Sequence, residues 1–179
     1  MTRRGPTRPP DAFEADGLFS FPDPVNEVSA RLVAGGVVLM ALAAIVFGQL
    51  WILAPLAYGF VARVLTGPTL SPLGQLVTRV ITPALPFEPK WVPGPPKRFA
   101  QGMGATITVT AAVLWFGFGL SGAAYVLLAA IVVAATLESV FAICLGCIVF
   151  SGLMRVGVIP AEVCEKCNDP TWLRSPTGA

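Results

Sequence analysis

Hydrophobic and polar positions separate along this chain into long blocks. Leu32 to Ala62 holds no charged residue, and Phe99 to Leu137 holds none either. Glu138 interrupts the second block, which then runs uncharged to Met154. An apolar helix of about 20 residues crosses the hydrocarbon core of a bilayer, so each block is too long for one span. Each also carries turn signals in its middle: Gly48-Gln49-Leu50-Trp51 in the first, Gly117-Phe118-Gly119-Leu120-Ser121-Gly122 in the second. Gly-rich breaks of this kind read as tight turns. The pattern predicts an all-α protein, a four-helix transmembrane bundle of two hairpins. Its spans fall at about 27–48, 51–66, 98–118 and 121–150. Pro55 is tolerated inside the second span if neighbouring groups satisfy the freed carbonyl.

Between the hairpins, Leu70, Leu73, Leu76, Val77, Val80 and Ile81 recur at helical spacing, with Ser71, Gln75, Thr78, Arg79 and Thr82 on the other face. This predicts a short interfacial helix over 70–82. A proline-rich strap over 83–96 follows, extended and stiff, with Trp91 suited to the headgroup level. Residues 1–23 read as a disordered segment, and 155–179 as a C-terminal tail that carries the second cysteine pair. Arg3-Arg4 invites a twin-arginine reading, but the apolar stretch begins far downstream and no cleavage site follows it closely. Asp23-Pro24 reads as an N-cap with proline at the first helical position, opening the first span.

Composition sharpens this reading. Of 179 residues, 55% are hydrophobic and 12% charged, and the mean hydropathy is +0.74. A soluble domain carries roughly twice that share of charge. The net charge of +2 is too small to indicate nucleic-acid binding. With four spans, one side receives all 12 basic residues: Arg3, Arg4, Arg8, Arg31, Arg63, Arg79, Lys90, Lys97, Arg98, Arg155, Lys166 and Arg174. The hairpin turns receive none. The positive-inside rule then places both termini and the central loop in the cytoplasm of a multi-pass cell-membrane protein.

Histidine is absent, which removes Ser-His-Asp and Cys-His catalysis and His-ligated haem. Cysteine is left as the soft ligand. Its four copies form two pairs, Cys144-Leu-Gly-Cys147 and Cys164-Glu-Lys-Cys167, in the pattern C-x2-C-x16-C-x2-C. That spacing falls in the range of a four-thiolate zinc site. Cysteines three apart share a helix face. The residues from Val156 to Cys164 extend to about 30 Å at most, enough to bring the second pair back to the first. A reducing cytoplasm disfavours structural disulfides, which leaves a closed metal site, a working dithiol, or free apolar cysteines. On a continuous fourth span, Cys144 and Cys147 sit near the helix C-terminus, where the dipole raises a thiol pKa. A metal removes that objection, so zinc is the first choice, iron the second, with Cys144, Cys147, Cys164 and Cys167 as ligands.

Glu138 is the one ionisable residue inside a span, and an intramembrane acid is by default a functional candidate. The competing reading is a protonated or hydrogen-bonded Glu, with Thr106, Thr108, Thr110 or Gln49 as partners. Arg31, Arg63 and Arg98 are candidate ion partners. On a continuous helix Glu138 and Cys144 point about 120° apart.

Several stretches together look familiar: Asn26-Glu27 with Arg31; Arg63, Thr66-Gly67-Pro68 and Ser71-Pro72-Leu73; Pro96-Lys97-Arg98-Phe99-Ala100-Gln101; and Leu137-Glu138 leading into Cys144-Leu145-Gly146-Cys147. Over about 24–154 the chain resembles a bacterial integral-membrane family designated domain of unknown function 4395. The resemblance implies a four-helix membrane domain with Glu138 and the cysteines as its polar signature. Association of the family with thioredoxin-like and sulfurtransferase partners implies, by analogy, sulfur or thiol redox work. The leading functional expectation is a metal-stabilised, non-catalytic scaffold or accessory subunit of a membrane complex. The alternative is a thiol–disulfide or sulfur-transfer protein using Cys144, Cys147 and Glu138. Transport of a small sulfur species needs a polar pathway, for which one Glu is thin support. No haem or nucleotide and no nucleic acid is expected.

Overall fold

The structure is a computed structural model, and it describes residues 21–86, 90–160 and 163. It is mostly helical. A two-residue strand β1 (Val25–Asn26) leads into α1 (Glu27–Val46). A single 3-10 turn (Leu50–Ile52) opens α2 (Leu53–Thr66). Continuous helical turns follow: α3 (Pro72–Leu76), a wider π turn (Val77–Ile81) and α4 (Thr82–Ala84). Strand β2 (Trp91–Val92), α5 (Gly94–Phe118), α6 (Ser121–Phe141) and α7 (Leu145–Arg155) complete the described chain.

Three helices, α1, α5 and α6, are long and apolar enough to cross a membrane, and Leu50–Thr66 forms a shorter apolar helix. α1 packs along α6, α2 along α5, and α5 against α6. The seam is made of small and branched residues: Ala41, Ala44, Leu53, Ala111, Ala124 and Leu128 are all buried to 1% exposure or less. Small side chains let helix backbones approach closely. Large apolar side chains point outward instead, among them Leu39, Phe116, Val126 and Val133. An apolar exterior over a small-residue seam is the arrangement that lipid solvates and water does not.

The ends of these helices are tied together by polar groups. Asn26 caps α1, its Oδ1 accepting from the Val28 N–H at 3.0 Å. Asp23 does not open that helix as its sequence context predicts. Its Oδ1 accepts from the N–H of Gly94, the first residue of α5, at 2.9 Å. β1 and β2 pair antiparallel, Val25 with Val92 and Asn26 with Trp91, and so hold the two helix starts side by side. Asn26→Ala is expected to cost about 1 kcal/mol through loss of the cap. The check is an earlier unfolding midpoint of the purified protein in detergent.

Several boundaries differ from the sequence expectation. The helical turns run over 72–84 rather than 70–82, so Pro83 of the expected strap lies inside α4. The third long helix begins at Gly94 rather than at about 98, because Pro95 and Pro96 fit the first helical turn. More consequentially, the expected span over 121–150 is not one helix. α6 stops at Phe141, Ala142 takes a left-handed conformation (φ 58°), and α7 starts afresh at Leu145. The expected disorder of 1–20, residues 87–89 of the strap, and the second cysteine pair, Cys164 and Cys167, lie outside the described residues.

Candidate functional site

The break after α6 changes the chemistry open to the first cysteine pair. Cys144 is the N-cap of α7, and its Sγ accepts from the backbone N–H of Cys147 at 3.3 Å. The dipole consideration that disfavours a reactive thiol on a continuous helix is therefore reversed: the helix N-terminus stabilises a thiolate. Both cysteines are free, Cys144 buried and Cys147 half-buried. The hydrogen bond shared with the Cys147 thiol, aided by the Lys97 charge, holds the Cys144 thiol below the ordinary thiol range. Burial and the Glu138 charge oppose it. The same bond, together with burial, pushes the Cys147 thiol up. The pair is thus asymmetric, with Cys144 the readier thiolate and Cys147 the holder of the proton.

α7 reaches this position because Gly146 lies directly on α5. A Cβ at Gly146 would fall 2.5 Å from both Cα and Cβ of Ala100. One turn further on, Phe150 packs against Phe99 with ring centroids 5.6 Å apart. The Leu-Gly between the cysteines therefore has a packing role: glycine is the residue that admits this approach.

Glu138 is paired with a residue outside the expected set. Lys97 Nζ lies 2.7 Å from its Oε1, with side-chain exposures of 11% and 15%. None of the anticipated partners holds that carboxylate oxygen. Thr106 and Thr108 donate to carbonyls of their own helix, Gly102 and Gly104, and Gln49 accepts from the Trp51 indole. Arg31 donates to the Ser139 and Val140 carbonyls at the end of α6, and Arg98 to the Val64 carbonyl at the end of α2. These two arginines satisfy carbonyls that helix ends leave without partners. Arg63 donates from Nε to Gln101 Oε1 at 2.9 Å and from Nη1 to Ser71 Oγ at 3.1 Å.

The helix break also removes the 120° separation expected between Glu138 and Cys144. Both line one cavity of about 240 Å3, with Arg63 and Gln101 beside them. The rest of its wall is apolar, including Val33, Phe60 and Ile131. The structure thus brings together Cys144, Cys147, Glu138 and Lys97 at one end of the helices. Among the described residues no group of three or more His, Cys, Asp or Glu stands in a metal-binding arrangement.

Fold and site together define a small helical protein with membrane-length apolar helices and a CxxC pair at a helix N-terminus beside a buried ion pair. The chain belongs to the family described as domain of unknown function (DUF4395), whose profile matches residues 25–155. No curated protein and no solved structure matches it.

Proposed function

We propose that this is a membrane-embedded dithiol protein whose working pair is Cys144 and Cys147. The observation that carries the reading is the placement of Cys144 at the N-terminus of α7, on a cavity shared with Glu138, whose carboxylate is paired with Lys97. α1, the Leu50–Thr66 helix, α5 and α6 are its four spans. At 17 residues the second lies at the short end of the spanning range. The end bearing Arg31, Arg63, Lys97 and Arg98 faces the cytoplasm by the positive-inside rule.

The chemistry is thiol–disulfide exchange with a disulfide of a low-molecular-weight or protein partner. Cys144 thiolate attacks one sulfur of that disulfide, forming a mixed disulfide and expelling one partner thiolate. Cys147 loses its proton to that thiolate and attacks the Cys144 sulfur, expelling the second partner sulfur as a thiolate, which takes up from solvent the proton that Cys144 released on ionising. The pair loses two electrons and two protons, and the partner gains both.

The test uses an aromatic disulfide reagent, with each cysteine followed by peptide mass spectrometry. Cys147→Ser is expected to trap the mixed disulfide on Cys144. Cys144→Ser is expected to react at Cys147 about tenfold more slowly than native Cys144 does. Equal reactivity at the two positions would contradict the assignment of roles.

One observation favours a second reading, the four-cysteine zinc or iron scaffold. Val163, the residue before Cys164, lines a groove with Phe99, Gly102 and Phe150, so the tail has returned to the start of α5 by that point. About one tightly bound ion per chain, lost in Cys144→Ser, is the result that supports this reading.

A further inference from the structure

A second cleft opens on the other side of Arg63. It has a volume of about 550 Å3 and lies between residues 21–26, α1, α2 and the helical turns over 72–84. Arg63, Arg79 and Lys97 line it, with the hydroxyls of Ser29, Thr78 and Thr82. No carboxylate lines it among the described residues. Lys97 is already neutralised by Glu138, which leaves the charges of Arg63 and Arg79.

Arg63 is the informative residue. It is only 5% exposed. Its Nε and Nη1 are occupied by Gln101 and Ser71, and its guanidinium stacks 4.6 Å from the centre of the Phe60 ring. Its Nη2 is buried with no hydrogen-bond partner among the described residues. Gln101 and Ser71 are neutral, so they fix the guanidinium in place without cancelling its charge. A buried charged donor left unpaired is costly. Arg63 lines this cleft, and a fork held rigidly with one N–H left without a partner is pre-organised for an oxyanion.

We propose that this cleft binds a phosphate-type oxyanion through the Arg63 guanidinium, with Arg79 adding charge at its exposed rim. The lining suits an amphipathic headgroup as well as a free ion, because Val25, Val33 and Trp91 form an apolar wall beside the cations. The shared chemistry is the phosphate oxyanion, and its source is either an anionic lipid or soluble phosphate. The unpartnered Arg63 guanidinium reads as a ligand donor, distinct from the thiol chemistry of Cys144.

The experiment uses the full chain, purified free of lipid in neutral maltoside micelles. Inorganic phosphate is titrated in one arm and phosphatidylglycerol in the other, with the shift of the thermal midpoint as readout. Saturable stabilisation by either probe is expected. Response to phosphatidylglycerol alone assigns the site to a lipid headgroup, and response to phosphate assigns it to a soluble ion. Arg63→Lys keeps the charge and loses the fork, and is expected to weaken binding about tenfold. Arg79→Gln alters an exposed side chain that folding does not need, and is expected to weaken it about threefold. The proposal is overturned if neither probe stabilises the native chain saturably, or if Arg63→Lys binds as the native chain does. Thiol reactivity of Cys144 is read in the same samples, so loss of the anion site and loss of the dithiol are distinguishable.

Discussion

Lys97→Met is expected to be among the most damaging single substitutions in this chain. It leaves the Glu138 carboxylate at the cavity without the ammonium that lies 2.7 Å from it. Breaking a buried pair from one side costs about 3–5 kcal/mol, because a charge stays buried without compensation. Glu138→Gln is expected to cost less, since a long lysine stem can carry its charge toward water. The informative variant is the double one. Lys97→Met with Glu138→Leu removes both charges and keeps the volume, and is expected to recover most of the loss. Unfolding of the four proteins in detergent forms a thermodynamic cycle. Additive losses across it would show that the two residues do not act as a pair.

Gly146→Ala is expected to lift α7 from α5. The added Cβ meets backbone as well as side chain at Ala100, so the strain cannot be relieved by a rotamer change. Overpacking of this kind costs about 1–3 kcal/mol. The functional consequence is sharper than the energetic one: Cys144 moves away from Lys97 and its cavity, and is expected to be alkylated faster than in the native chain. Gly152, on the same helix, has nothing within 4 Å of its would-be Cβ. Gly152→Ala is therefore expected to be neutral or to stabilise by a few tenths of a kcal/mol through helix propensity. Equal effects at the two glycines would remove the close approach from the account.

The long helices were legible because lipid-length apolar runs leave few alternatives. α1 and α2 fall close to 27–48 and 51–66, and the glycine-bearing turns separate them as the pattern predicts. The break between α6 and α7 was not legible. Phe141-Ala142-Ile143 contains no glycine, proline or charge, and the left-handed turn sits on an alanine. It is held from a distance, by Arg31 donating to two carbonyls of the last turn of α6. Periodicity does not report a tertiary bond between residues more than a hundred positions apart.

The same limitation hid the electrostatics of the site. Lys97 counted in the sequence as one more positive charge near a helix end, useful for orientation. Because α5 starts at Gly94, Lys97 falls inside the helix and reaches Glu138. Asp23 behaved alike, its carboxylate capping a helix that begins 71 positions later. Glu138, Arg63 and the CxxC each stand out in the sequence as candidates. Their pairing depended on where helices begin and end, the weakest part of any sequence reading.

The most direct measurement is a redox titration of the native protein in micelles against glutathione buffers. Differential alkylation and peptide mass spectrometry report Cys144 and Cys147 separately. The dithiol account expects both to convert together and reversibly, in a single two-electron transition of about 30 mV per tenfold change in ratio. Cysteines that stay reduced across the whole range, or that oxidise independently of one another, would contradict it.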